Sequence, residues 1–138
     1  MSQTSLPRDT PSPTRSERHA QRLRMLVDLT AADPARIHEL AHAFSTVNAQ
    51  DILQVRTLQA NRDWTGLGVL AHRIKGAAQM TGDAQLSALC AAVGRLCADP
   101  APDASALDAC TQRLEFALKE FGESFRRIAQ DIQNAEDA

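Results

Sequence analysis

The apolar residues of this chain recur every three or four positions along several stretches, and nowhere do β-branched residues alternate with polar ones. That spacing puts the apolar side chains on one face of a helix, and such a face must be buried against other elements. Four amphipathic stretches joined by short connections favour a bundle in which neighbouring helices run antiparallel. We therefore predict an all-α fold, an antiparallel four-helix bundle with an additional short N-terminal helix.

Local signals set the predicted helix boundaries. The short first helix covers residues 21–30, and Asp33 then caps a second helix that Pro34 opens. Asp63 caps the third helix, which ends near Gly82, a residue that readily takes the left-handed conformation after a helix. The fourth helix ends at the loop that contains Pro100, and a last long helix follows.

The spacing also predicts the core. Met80 and the phenylalanines of the last helix fall at core positions. On the second helix the apolar stripe includes Val47, and it is interrupted by Asn48 and Asp51.

Length and composition indicate one domain preceded by a tail. The 138 residues suffice for a single core and are too few for two comfortable domains. Residues 1–20 contain Pro7, Pro11 and Pro13 among polar residues, so we predict a disordered tail or linker there. Residues 21–134 form the predicted bundle domain.

Charge and composition exclude several classes of function. A net charge of −2, with no Tyr and one Trp, offers nucleic acid neither a basic patch nor stacking residues. No apolar stretch approaches the ~20 residues that cross a bilayer, so we expect no direct membrane contact. The three cysteines lie on apolar stripes at spacings unlike zinc motifs, which predicts buried, reduced thiols in the cytoplasm and no metal site.

One histidine stands out on the third helix. With a step of 100° per residue, His72 and Gly76 each lie roughly 160° from the centre of the apolar stripe. Gly68, His72 and Gly76 are one turn apart, which predicts an imidazole on the solvent side with no side chains directly above or below it. Two glycines inside a helix cost about 1 kcal/mol each relative to alanine, so we infer that they allow close approach by another molecule.

Lys75 follows His72 by three residues, where its ammonium can meet negative charge bound to the ring. An exposed imidazole is largely neutral at pH 7, and is therefore nucleophilic and able to carry a phosphoryl group.

These residues resemble the signature of histidine-containing phosphotransfer (HPt) domains. The pattern is an alanine-histidine-arginine-leucine-lysine-glycine core, then a glycine turn and a leucine-rich helix with a cysteine. The matching positions here are Asp63-Trp64, Leu70–Ala78, Gly82, Leu86 and Leu89-Cys90. The sequence most resembles the C-terminal module of unorthodox hybrid sensor kinases of Gram-negative bacteria.

The resemblance implies roles for particular residues. His72 would accept and donate a phosphoryl group in exchange with the aspartate of response-regulator receiver domains, and Lys75 would help to neutralise that group. The receiver docking surface would comprise Gly68, Val69, Arg73, Gly76 and Gln79. The receiver would supply Mg²⁺, so the chain itself needs no cofactor and has no autonomous kinase activity. We expect a monomer as an isolated domain. As part of a hybrid kinase, it would be tethered to the inner membrane through the remainder of that chain.

Two alternatives differ in class. A non-catalytic receiver-binding helical module would bind the same partners without taking phosphate. A zinc metallopeptidase is suggested by His38-Glu39-Leu40-Ala41-His42, a literal HExxH on a predicted helix. That short motif lacks the glycine and the third histidine of its extended form, since Ser45 and Asn48 occupy those positions.

Overall fold

A computed structural model describes residues 12–138 and divides them into five helices, with no strand in that range. These are α1 (Arg15–Thr30), α2 (Pro34–Ala60), α3 (Trp64–Met80), α4 (Ala84–Ala98) and α5 (Ala104–Asp137). Helices α2 to α5 form a ring in which each contacts its two neighbours, so α3 and α5 lie at opposite corners. Helix α1 packs on α2 and α5. The predicted all-α bundle with an added N-terminal helix is confirmed.

Each helix of the ring begins with an aspartate cap. The side chains of Asp33, Asp63, Asp83 and Asp103 accept a hydrogen bond from a backbone N–H in the first turn of α2, α3, α4 and α5. Gly82 has φ +73° just after α3, as its predicted terminating role requires. The chain therefore reverses direction in short connections and brings consecutive helices together.

The core is apolar and is centred on α5. Phe121 and Phe125 are buried, and Phe44 of α2 packs on them with ring centroids 6.4 Å and 5.0 Å away respectively. The remaining core comes from Cys90 and from leucine, isoleucine, valine and alanine residues, and all five helices contribute to it. The predicted placement of Phe121 and Phe125 is confirmed.

Three apolar positions predicted for the core lie on the surface instead. The exposed fractions are 45% for Val47, 60% for Met80 and 74% for Phe116. On α2 the buried stripe passes through Asn48 and Asp51, because each has a partner on a neighbouring helix: Asn48 packs on Gly122, and Asp51 binds Arg73. The polarity of these residues therefore did not predict which side of their helix faces the solvent.

Helix α1 begins at Arg15, earlier than the predicted start at residue 21. Residues 15–20, predicted to belong to the disordered tail, are helical, and residues 1–11 lie outside the described part of the chain. His19, placed in the tail by the sequence, has its Nδ1 hydrogen-bonded to Ser124 Oγ at 2.6 Å. At the other end, α5 runs to Asp137, beyond the predicted domain end at residue 134.

The early start of α1 is held by charge rather than by apolar contacts. Arg18 donates from Nε and Nη2 to the two carboxylate oxygens of Glu120, both at 2.5 Å. Arg22 is buried and donates to Asp83 at 2.7 Å, with Glu120 at 3.3 Å. Hydrophobic periodicity carries no information about ion pairs, so the start of α1 predicted from the sequence was too late.

This network predicts a pH-dependent stability. The hydrogen bond from Arg18 lowers the pKa of the Glu120 carboxyl. The stabilisation is therefore fully present above the ordinary glutamate value of about 4.3 and is lost as the pH falls through the lower folded-state value. We expect Glu120→Gln to reduce the free energy of unfolding by about 1–3 kcal/mol at pH 7, with a smaller difference from wild type at pH 3. Urea unfolding at the two pH values measures both quantities.

Glu123→Gln is the matched control. Glu123 pairs with Arg15 at 3.3 Å with both side chains more than half exposed, so its loss should cost less than about 1 kcal/mol. An equal loss of stability from Glu120→Gln at pH 7 and pH 3 would contradict the assigned role of the Glu120 charge.

Gly122 of α5 packs against the side chain of Asn48 on α2. A Cβ added there would overlap the amide oxygen of the buried Asn48, whereas a Cβ at Gly94 on α4 would meet nothing within 4 Å. We expect Gly122→Ala to destabilise the bundle by about 1–3 kcal/mol through overpacking. Gly94→Ala should stabilise it by up to about 1 kcal/mol through helix propensity. Thermal or urea unfolding compares the two, and shifts in the same direction would show that the contact between α2 and α5 can relax.

Candidate functional site

The outer face of α3 carries the candidate site. Leu67, Leu70, Ala71, Ile74 and Ala78 are buried on the inner face. Because these residues fix the rotation of the helix, His72 points away from the bundle and is exposed, midway along α3. A second molecule can therefore reach the imidazole.

The surface next to His72 is open on one side. A Cβ added at Gly76, one turn after His72, would meet nothing within 4 Å. Val69, one turn before, is 69% exposed, and Gln79 and Met80 are exposed two turns after. The histidine thus stands on a face with little side-chain bulk and some apolar surface.

Lys75 lies one turn after His72 on α3. It is half-buried on the side of α3 that faces α4, where its charge acts on the thiol of Cys90. Its ammonium makes no ion pair with any residue between 12 and 138. Positive charge is therefore available beside the imidazole for a bound anion.

Arg73 lies on the other side of His72 and is already engaged. Its Nη2 donates to Asp51 Oδ1 at 2.6 Å and lies 3.4 Å from Gln54 Oε1. Since the Asp51 side chain is only 10% exposed, this pair links α2 to α3 and leaves the guanidinium partly neutralised. Sequence reasoning missed Asp51 as a partner, although its interruption of the apolar stripe was the signal that could have revealed it.

The placement of Gly68 on the solvent side is wrong. A Cβ at Gly68 would lie 3.2 Å from the Cβ of Cys97, so α4 passes close to the backbone of α3 at this residue. The step of 100° per residue gives the direction of a residue around the helix axis. It does not show where the neighbouring helix lies, and so it missed that α4 covers Gly68. Gly68 thus serves the contact between α3 and α4, and the open surface beside His72 is due to Gly76.

The exposed face of α3 continues onto α1. A shallow cavity of about 550 Å³ lies between the two helices, lined by Met25 and Leu29 of α1 and by Gln79 and Met80 of α3. Leu29 is 57% exposed. This apolar extension was not found from the sequence because it joins two helices that are distant along the chain.

The HExxH motif forms no convergent metal site. The rings of His38 and His42 stack in parallel on α2, with centroids 6.3 Å apart. Within residues 12–138 no three histidine, cysteine, aspartate or glutamate side chains are grouped so that they could hold a metal ion. A zinc metallopeptidase would need such a third ligand.

The cysteines offer little nucleophilic chemistry. Cys90 is buried, and burial raises the pKa of its thiol to about 12. Burial also raises the pKa of the half-buried Cys97. A thiol with a raised pKa is a poor nucleophile because the thiolate is the reactive form.

No helix in the described range is both long and apolar enough to cross a membrane. Among curated proteins and among solved structures, none matches the chain significantly. The family model of the Hpt domain matches residues 24–138, from within α1 to the last residue of the sequence. The chain therefore belongs to the Hpt domain family, whose members take part in histidine phosphorelays and interact with response-regulator receiver domains.

Proposed function

We propose that His72 is the residue that accepts a phosphoryl group from the aspartyl phosphate of a receiver domain and donates it to the aspartate of another. The observation that carries this proposal is an exposed imidazole with open surface at Gly76 and, one turn away, the Lys75 ammonium, which has no ion-pair partner among residues 12–138. Of the other three histidines, His19 is hydrogen-bonded to Ser124, and His38 and His42 stack on each other.

The transfer needs little chemistry from this chain. A ring nitrogen of neutral His72 attacks phosphorus, the bond between phosphorus and the receiver's aspartyl oxygen breaks, and the aspartate leaves as a carboxylate. Phosphoryl transfer of this kind depends on positioning and charge stabilisation. The rigid helix supplies the position and Lys75 supplies charge, while Mg²⁺ belongs to the receiver.

The docking surface in this proposal surrounds His72. Val69, Gly76, Gln79 and Met80 present a mixed polar and apolar face on α3, and Leu29 extends it onto α1. Apolar patches rimmed by polar residues are typical of protein–protein contacts. Arg73 lies at the edge of this surface, where its pairing with Asp51 leaves it a smaller part in receiver binding.

We further propose a setting for the domain. Its resemblance to the C-terminal modules of unorthodox hybrid sensor kinases supports a bacterial phosphorelay, with the domain in the cytoplasm. In this setting it acts as a monomer, either alone or attached to a sensor kinase.

Substitution of His72 tests the proposal directly. We expect His72→Gln to abolish labelling by a phosphorylated receiver and to leave helicity unchanged, because the ring is exposed and makes no hydrogen bond or ion pair within residues 12–138. Incubation with a panel of ³²P-labelled receivers, scored for acid-labile and base-stable phosphate, measures the transfer. His38→Gln is the control and should be labelled like wild type. Persistent labelling of His72→Gln would refute the assignment, and receiver binding without labelling of wild type would favour the non-catalytic module.

Lys75 is tested through the rate of transfer. Removing its charge should slow single-turnover transfer at saturating receiver by about 10- to 100-fold, since charge stabilisation is often the largest contribution to such a step. We expect Lys75→Met to show this loss and Lys75→Arg to recover much of it. Lys119→Met is a matched control, because it removes the same charge from the distant helix α5. Equal rates for Lys75→Met and Lys119→Met would show that the local charge beside His72 is not used.

A further inference from the structure

A second exposed apolar surface lies between α4 and α5, and none of the residues that line it belongs to α3. We call it the α4–α5 groove, a depression of about 590 Å³ between those helices. Its apolar lining consists of Ala88, Leu89, Ala92, Cys110, Phe116 and Ala117.

Phe116 is the residue that the fold does not explain. It is 74% exposed, more than any other large apolar residue that the structure describes. The neighbouring Leu114 and Leu118 face the core, so the rotation of α5 forces Phe116 outward. An exposed aromatic ring beside a groove of small residues is typical of a protein-binding surface.

The edges of the groove carry unpaired positive charge. Arg113 lines it, and Arg95 lies on the same face of α4 as Ala88, two turns later. Neither guanidinium makes an ion pair with a residue in the range 12–138. The carboxylate that lines the groove, Glu120, is held by Arg18 and Arg22.

The other acidic groups nearby are also engaged. In the connection between α4 and α5, Asp99 and Asp103 accept hydrogen bonds from the backbone N–H groups of Ala101 and Ala106. Further along α5, Glu123 pairs with Arg15. The groove therefore presents an apolar floor beside two arginines, Arg95 and Arg113, that have no ion-pair partner in the described part of the chain.

We propose that the α4–α5 groove binds an amphipathic helix whose apolar side is flanked by acidic residues. Such a helix fills apolar grooves through side chains at positions i, i+3, i+4 and i+7, and its carboxylates would pair with Arg95 and Arg113. A second copy of this chain fits less well, because a twofold contact through the groove would bring like-charged edges of the two copies together.

The position of the α4–α5 groove suits a function that is separate from phosphotransfer. Because no residue of α3 lines the groove and His72 is exposed on α3, we infer that a helix in the groove leaves His72 accessible. The groove can therefore hold the domain on a second protein or segment while a receiver docks at α3. This inference does not depend on which residue carries the phosphoryl group.

A designed peptide tests the proposal. The probe is a fluorescein-labelled 18-residue peptide with leucine at i, i+3, i+4 and i+7 of a helix and glutamate elsewhere, and its counterpart has lysine in place of glutamate. We expect the full chain to bind the acidic peptide at least 10-fold more tightly in fluorescence polarisation. Phe116→Ala and Arg113→Glu should each weaken that binding at least 10-fold. Val69→Ala, which removes an exposed apolar side chain from the His72 face, should not change it.

Three results would overturn the proposal. The first is equal binding of the acidic and basic peptides, and the second is unchanged binding by Phe116→Ala with circular dichroism showing an intact fold. The third is a dimer in sedimentation velocity that Phe116→Ala converts to monomer, which would make a second copy the occupant. Binding of the acidic peptide that leaves the accessibility of His72 to diethyl pyrocarbonate unchanged would support two separate surfaces.

Discussion

Burial of the inner face of α3 governs how the rest of the site is arranged. Leu67, Leu70, Ala71, Ile74 and Ala78 pack into the bundle, and a helix held along five residues cannot rotate. At 100° per residue, this leaves His72 facing outward. The imidazole therefore needs no hydrogen-bonded partner of its own to be presented, because the apolar core positions it.

Ion pairs between helices then determine which charged side chains remain available around the core. Asp51 holds Arg73 across the contact between α2 and α3, so Lys75 remains the cation beside His72 without an acidic partner among the described residues. At the connection between α3 and α4, Arg22 ties α1 to Asp83, the capping residue of α4. Buried ion pairs are seldom a large source of stability, and here they fix how the helices are arranged.

Much of the fold followed from local signals, as the caps at Asp33 and Asp63 and the turn at Gly82 show. The errors in predicting which residues are buried share one cause. Val47, Met80 and Phe116 are apolar yet exposed, while Asn48 and Asp51 are polar yet buried. Periodicity assigns sides from polarity alone, so it fails where a polar residue has a buried partner or an apolar one faces outward. The early start of α1 was missed for the same reason, because Arg18 and Arg22 dock it through charge.

By itself the sequence determined the helical class, the order of the helices, and the position of His72 and Gly76 on the outer face of α3 with Lys75 one turn after the histidine. These depend on spacing within a single helix, which backbone geometry fixes. The tertiary structure decided that Gly68 serves the contact with Cys97 and that Arg73 is held by Asp51. It also placed Leu29 and Met80 in the lining of one cavity and formed the groove around Phe116. Each of these joins residues on different helices, and their distances depend on how the helices pack rather than on the spacing within any one of them.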